Sequence, residues 1–115
     1  MLFRSCATAI IAARAGLQVM LLEHAVFPRH RAGETLHPGV EPLFNQLGVA
    51  KEVNSAKFLR HSGTWVRWDE DFVFVPFGED KDGPWFGFQA WRADLDEILL
   101  EQARKLGVVD RKSVV

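Results

Sequence analysis

The chain carries a single cysteine, Cys6, so no disulfide can close within it; that usage fits a reducing compartment, and a cytoplasmic protein is the expectation. It also lacks an excess of either charge. Fourteen basic against fifteen acidic residues leave a net charge of −1, which offers no clustered positive face for nucleic acid or an anionic membrane. No apolar run is long enough for a membrane span: residues 6–22 are the most apolar, but Arg14, Gly16 and Gln18 interrupt them and they fall short of the ~20 residues needed. Arg4 ahead of an apolar patch resembles a signal sequence, yet the patch is shorter than the usual ~7–15 residues and a strand-like run follows directly. The four histidines, His24, His30, His37 and His61, show no ligand spacing and Cys6 is remote from them, so no metal site is expected. G-x-S-x-G is absent, and with it any positive sign of a nucleophilic hydrolase. Repeats, low-complexity tracts and flexible linkers are missing too. What remains is 115 residues at 48% hydrophobic content, enough for one modest core.

The order of elements is legible in the patterning. Ala7, Ile10, Ile11 and Arg14 have the spacing of a helix face, with Gly16 where a helix stops. Gln18 to Leu22 are nearly all apolar, as in a parallel strand buried on both faces. Helix, tight turn and strand together make the second half of a βαβ unit. Phe27 to Leu36 read as an irregular loop broken by Pro28 and Gly33. A helix begins near Pro38, with Val40, Leu43, Phe44 and Leu47 as its stripe and Gly48 at its end. Lys51 to Lys57 suggest a further short helix. From Ser62 the period becomes two: Thr64 to Trp68 and Phe72 to Phe77 are strand-like, joined by a turn at Asp69-Glu70-Asp71, and Pro76 places the second run at an edge or its own end. Gly78 to Pro84 read as a polar loop and Trp85 to Trp91 as a third strand. Trp65, Trp68, Trp85 and Trp91 are expected to fill a sheet–helix core rather than line a ligand. In the last helix Asp94 and Glu97 have capping-box spacing. Leu95, Ile98, Leu99, Gln102 and Leu106 share a face, Gly107 ends it, and Val108-Val109 start another strand.

Glu23 is the first candidate for chemistry. An apolar strand closing on one acid is how a dinucleotide-binding unit ends its second strand, where the carboxylate accepts both hydroxyls of an adenosine ribose. The alternative is simply the solvated end of a strand. The loop that follows carries Arg29 and Arg31 around His30, then Gly33; a guanidinium can pair with a pyrophosphate and a glycine admits close backbone, or the loop is a solvated one. Gln89 and Arg92 form a second polar group at a strand–helix junction, able to reach a cofactor or, for Arg92, to pair with a nearby acid. The first strand and glycine-rich turn that should precede the first helix are absent. The ends, residues 1–5 and 110–115, read as products of a sequencing adapter, leaving residues 6–109 as the expected native segment, with part of a substrate-side sheet at about 62–91.

Taken together, the alanine-rich helix, LQVMLLEH, FPRHRAGETLHPGVEPLFNQLGV, a β-hairpin and GFQAWRADLDEILLEQARKLGV resemble the FAD-dependent oxidoreductases of the aromatic hydroxylase type. Within them the sequence is most similar to the branch of flavin-dependent halogenases and geranylgeranyl reductases. The resemblance implies an α/β fold: a partial Rossmann-like FAD-binding domain with an inserted antiparallel hairpin or sheet. It implies that Glu23 holds the adenosine ribose, that Arg31 contacts FAD, and that Gly33 and Glu34 belong to the loop passing the ring system. Gln89 and Arg92 would reach FAD from a strand and the next helix, with Cys6 to Thr8 near the pyrophosphate. A small organic substrate and reduction by NAD(P)H or a flavin reductase are implied as well. The halogenase branch carries a catalytic lysine on the first hairpin strand, where this chain reads SGTWVRW over 62–68; no catalytic residue is therefore assigned. Two other readings compete: an NAD-binding reductase using Glu23, and a non-catalytic interaction domain that folds alone and exposes Trp65 or Trp91.

Overall fold

Ala, Ile and Thr at helical spacing build helix α1 (Leu2–Arg14), which Gly16 closes in the left-handed region at φ 86°. The computed structural model describes residues 2–23 and 25–111; Met1, His24 and residues 112–115 lie outside them. Helix α1 lies along helix α4 (Arg92–Lys105), and Cys6, Ala9 and Ile10 from the first meet Leu95, Leu99 and Ala103 from the second in one buried cluster. Leu21 and Val108 extend that cluster to the parallel pair β1 (Met20–Leu22) and β9 (Val109–Arg111). Helices α2 (Val40–Leu47) and α3 (Ala50–Ser55) add Phe44, Leu47 and Val53, with Phe44 edge-on to Phe88 at 5.6 Å. Burying each of these phenylalanines is worth roughly 1.5–3 kcal/mol.

The junction of the three long helices depends on Gly48. Its φ of 77° caps α2, and a Cβ there would lie 2.6 Å from Arg14 Nη2 and 2.8 Å from Gln102 Nε2. Those two side chains converge because α2 ends in unpaired carbonyls: Arg14 donates to the Gln46 carbonyl, and Gln102 donates to that of Leu47 at 3.1 Å. A cation and an amide from neighbouring helices thus supply the C-terminal cap, in the orientation the helix dipole favours.

The remaining strands form small antiparallel sheets. β8 (Gly87–Ala90) is flanked by β2 (Glu34–Leu36) and β3 (Leu59–His61); β4 (Gly63–Val66) pairs with β5 (Val73–Pro76), and β6 (Glu79–Asp80) with β7 (Gly83–Pro84). Arg60 ties β3 to its neighbours, donating to the carbonyls of Gly87 and Phe86 and pairing with Glu41 at 3.1 Å, its guanidinium 3.8 Å from the Phe88 ring centroid. The architecture is a mixed α/β one with small sheets, and no described helix is long and apolar enough to cross a membrane.

Several sequence expectations need correction. β1 runs parallel to β9 as its composition suggested, but it is not buried on both faces: Met20 and Leu22 are 61% and 62% exposed, because the helices cover only the side of Leu21. Glu34 to Leu36, read as loop, form β2 because their backbone completes the ladder of β8. The polar stretch from Gly78 is a short hairpin, turned at Lys81 and Asp82, not an irregular loop. α4 starts at Arg92 with Trp91 as its N-cap, so Asp94 sits inside the first turn and makes no capping bond. The four tryptophans do not fill the core. All are exposed, Trp68 by 90%, and Trp65 stands on β4 of a ribbon whose second strand, β5, is exposed throughout.

The chain leaves much surface uncovered. Its accessible area is 7986 Å², whereas a folded monomer of 13.0 kDa follows a scaling law near ~6,300 Å². The Cα radius of gyration, 16.7 Å, likewise exceeds the ~13 Å typical of this length.

Candidate functional site

Most of the candidate residues fall into two polar clusters. The first follows β1. The backbone N–H of Glu23 continues the β1–β9 ladder by donating to the Arg111 carbonyl at 3.0 Å, which fixes where its side chain starts. Glu23 Oε1 then accepts the amide N–H of Ala25 at 3.1 Å and pairs with Arg29 Nη1 at 3.2 Å. The guanidinium of Arg29 lies 5.1 Å from the Phe27 ring centroid, and its Nε is buried without a partner among the described residues.

The second cluster is built by the β2–β8 ladder and the start of α4. Register places Glu34 opposite Ala90 and Thr35 opposite Gln89. Arg92, the first residue of α4, therefore reaches Glu34 Oε2 at 3.2 Å through Nη1. Its Nε and Nη2 donate to Oδ1 and Oδ2 of Asp96 at 3.1 and 3.3 Å. Asp96 is fully buried, and Arg92 is 15% exposed. Burial on its own would lower the Arg92 pKa; the bonds and charge of Asp96, then of Glu34, outweigh it and raise it. The pairing with a nearby acid that sequence reading allowed for Arg92 is thus present. Gln89 accepts the Thr35 hydroxyl at 2.9 Å and directs its amide nitrogen toward His61 Nδ1 at 3.4 Å. A Cβ on Gly33 would lie 3.4 Å from the Ala90 carbonyl, so the loop passes close over β8.

Cys6, on α1, is fully buried in the core. Burial pushes its thiol up to about 12, helped by the negative charges of Asp96, Asp110 and Glu23 and opposed by Arg104. A thiol so suppressed is not a nucleophile.

The structure therefore joins Glu34, Gln89 and Arg92 through one ladder, with Gly33 beside them, and sets Glu23 in a separate group with Arg29. Arg31 is exposed and makes no hydrogen bond or ion pair among the described residues. Sequence reading missed Asp96, although its i, i+4 spacing from Arg92 was the available signal. It also missed Thr35 and His61 beside Gln89, which only strand register reveals. Among the described residues, no group of three or more His, Cys, Asp and Glu could hold a metal ion.

Comparison with known proteins places this arrangement. No protein-family model matches the chain. It is 36% identical over 100 residues to a tryptophan 2-halogenase of Chondromyces crocatus, covering 87% of this chain and 19% of that protein. It is 33% identical over 109 residues to the flavin-dependent halogenase armH4 of Armillaria mellea, covering 86% and 20%. The solved structure of the myxobacterial chondrochloren halogenase CndH, a variant of FAD-dependent halogenases, superposes with a TM-score of 0.84 at 32% identity, over 93% of this chain and 25% of that one. The chain spans about a fifth of the length of the curated relatives it matches. Over most of its own length it is homologous, in sequence and in fold, to the flavin-dependent halogenases.

Proposed function

We propose that this chain is a segment of an FAD-dependent oxidoreductase, halogenase-like or a monooxygenase, acting on a small organic substrate in the cytoplasm. The single observation that carries this reading is the superposition on an FAD-dependent halogenase over 93% of the chain at 32% identity. Residues 6–109 are then part of a Rossmann-like FAD-binding domain, with a stretch of substrate-side sheet at about 62–91.

The donor set suits the cofactor. Glu23 ends a parallel strand with a carboxylate able to accept ribose hydroxyls, and a carboxylate offers about four acceptor directions. Arg31 carries five donors that no described residue engages, available to an anionic pyrophosphate. Gln89 presents an exposed amide from the central strand of its sheet. Arg92 fits less directly: three of its donors already serve Asp96 and Glu34, so its part is to set Glu34 and the Gly33 loop over β8. Bound FAD would supply the redox chemistry, with NAD(P)H or a flavin reductase as electron source; the chain's own residues bind and orient. No lysine occurs in β4 or its flanks over 62–68, so halogenation draws no support from that strand and no catalytic residue is named.

A second reading rests on the exposed aromatic ribbon, where Trp65, Trp68, Phe72 and Phe74 lie open: an interaction domain whose hairpin meets a partner. One experiment separates them. The complete polypeptide carrying this segment is purified, scanned for flavin absorbance and titrated with FAD after stripping. We expect a yellow protein that rebinds FAD, more weakly after Arg31→Ala. A colourless protein that never takes up FAD, yet unfolds cooperatively as the 115-residue chain alone, would overturn the flavoprotein reading in favour of the interaction domain.

A further inference from the structure

The geometry points to Thr35 and His61 as positioning residues for Gln89: together they fix the sense of its amide, so that one donor and one acceptor face the cofactor in a set direction. This rests on the reading of Gln89 as a cofactor contact given above.

Gln89 stands on β8, exposed between the buried Phe88 and Ala90, on the open face of the three-stranded sheet. Strand register sets Thr35 of β2 on one side of it and Leu59 of β3 on the other. Successive side chains of a strand alternate between faces, so His61, two residues past Leu59, shares that face. It lies opposite Gly87, where a Cβ would meet His61 Cε1 at 2.9 Å and Nε2 at 3.0 Å; the imidazole rests on β8 at the one position of that strand without a side chain. The Phe77 ring packs edge-on against it, with centroids 5.3 Å apart. The Thr35 hydroxyl donates to Gln89 Oε1 at 2.9 Å, and Gln89 Nε2 lies 3.4 Å from His61 Nδ1. An amide nitrogen can only donate, so Nδ1 accepts and the neutral imidazole carries its proton on Nε2. A hydroxyl could serve either end of the amide; the lone pair of the imidazole is what distinguishes them. Such bonds between exposed side chains add little to stability, since water competes for each partner and ordering a glutamine costs side-chain entropy. What the row does provide is direction. Among the described residues, one N–H and one acceptor direction of the Gln89 amide remain. Their order along the sheet is fixed in advance, which spares a ligand the entropy of ordering them.

Support of the sheet depends on side-chain shape, whereas positioning depends on the hydroxyl and the lone pair. In the complete polypeptide, stripped of flavin, FAD affinity is measured by quenching of flavin fluorescence, with melting temperatures recorded alongside. Thr35→Val keeps the shape and loses the hydroxyl, while Thr35→Ser keeps the hydroxyl. His61→Phe keeps a ring and loses the acceptor, while His61→Asn keeps an oxygen acceptor near the place of Nδ1. Holding one such side chain is worth roughly a three- to tenfold change in affinity. Thr35→Val and His61→Phe should each weaken FAD by that factor, and Thr35→Ser and His61→Asn should recover most of the loss. In a Gln89→Ala background neither Thr35→Val nor His61→Phe should weaken FAD further, because both act through the one amide. Undiminished losses in that background would mean that the two residues act independently of Gln89. Losses that track the melting temperature across all four variants, with no recovery by Thr35→Ser or His61→Asn, would mean that they only support the sheet; either result overturns the inference. Should Gln89→Ala leave FAD affinity untouched, it is the reading of Gln89 as a cofactor contact that fails, whereas loss with Gln89→Ala but with neither Thr35→Val nor His61→Phe sinks the positioning role alone.

Discussion

Replacing Arg92 by alanine is the sharpest test of the second cluster, because its partner cannot escape. Asp96 has no exposed surface, and both its oxygens are engaged by Arg92, at 3.1 and 3.3 Å. Removing one member of a buried ion pair leaves an uncompensated charge and costs about 3–5 kcal/mol, whereas replacing both by apolar residues of similar volume is often neutral. A chain of this length is expected to be stable by about 6–17 kcal/mol, and its excess surface places it toward the lower figure. Arg92→Ala should therefore remove around half of the total. With a urea slope of about 1–3 kcal/mol per molar, the unfolding midpoint should fall by roughly 2 M, followed by far-UV circular dichroism. Arg92→Leu/Asp96→Leu should recover most of the loss seen in Arg92→Leu. Glu34→Gln should cost well under ~1 kcal/mol, since that carboxylate is 47% exposed and surface pairs contribute little. If Arg92→Ala moved the midpoint no further than Glu34→Gln, or if the double leucine variant were no better than the single one, the claim that Asp96 is a buried charge depending on Arg92 would be refuted.

Two further predictions rest on other parts of the fold. Cys6 should resist a thiol-specific disulfide reagent at pH 8 until the chain is unfolded, because its thiol is fully buried and held protonated up to about 12. Since the folded thiol keeps a proton that the unfolded one releases from about pH 9, stability should be complete below that pH and decline from there toward pH 12, and Cys6→Ala should flatten the decline. Gly48→Ala should lower the melting temperature more than Gly16→Ala. Both are left-handed, costing roughly 1–2 kcal/mol, but only at Gly48 does the added methyl also displace the Arg14 and Gln102 caps.

The helical part of the fold was legible because its signals are local. Apolar spacing marked α1, α2 and α4, and the glycines at 16, 48 and 107 mark their ends with positive φ, a requirement that the residue type itself announces. The β4–β5 ribbon was legible for the same reason, since aromatic and β-branched alternation on either side of an acidic turn is a local pattern. What failed was whatever depends on a distant partner. Glu34-Thr35-Leu36 has no strand-like composition and is a strand only because β8 lies beside it; Leu59 to His61 went unread on the same grounds. The capping box failed because Trp91 enters the helix from an extended backbone three residues earlier than the acid pattern implied.

The tryptophans teach a different lesson, about what burial can be inferred from composition. Alternating aromatics imply that a strand face wants covering, not that this chain supplies the cover. Here Trp65 and Phe74 meet across the ribbon with ring centroids 5.2 Å apart, and both remain exposed. The same holds for Met20 and Leu22 on the open side of β1, and for Leu43 and Ile11 along the groove between α1 and α2. Apolar surface left open on the ribbon, on β1 and along the α1–α2 groove contributes to the area in excess of the scaling law. The two polar clusters, by contrast, are each held by backbone ladders as well as by ion pairs. Of the candidate residues, Glu23, Gln89 and Arg92 could be singled out from sequence by residue type and position. How they are held was not legible, because Thr35 is brought to Gln89 by strand register, and Asp96 offered only its i, i+4 spacing from Arg92.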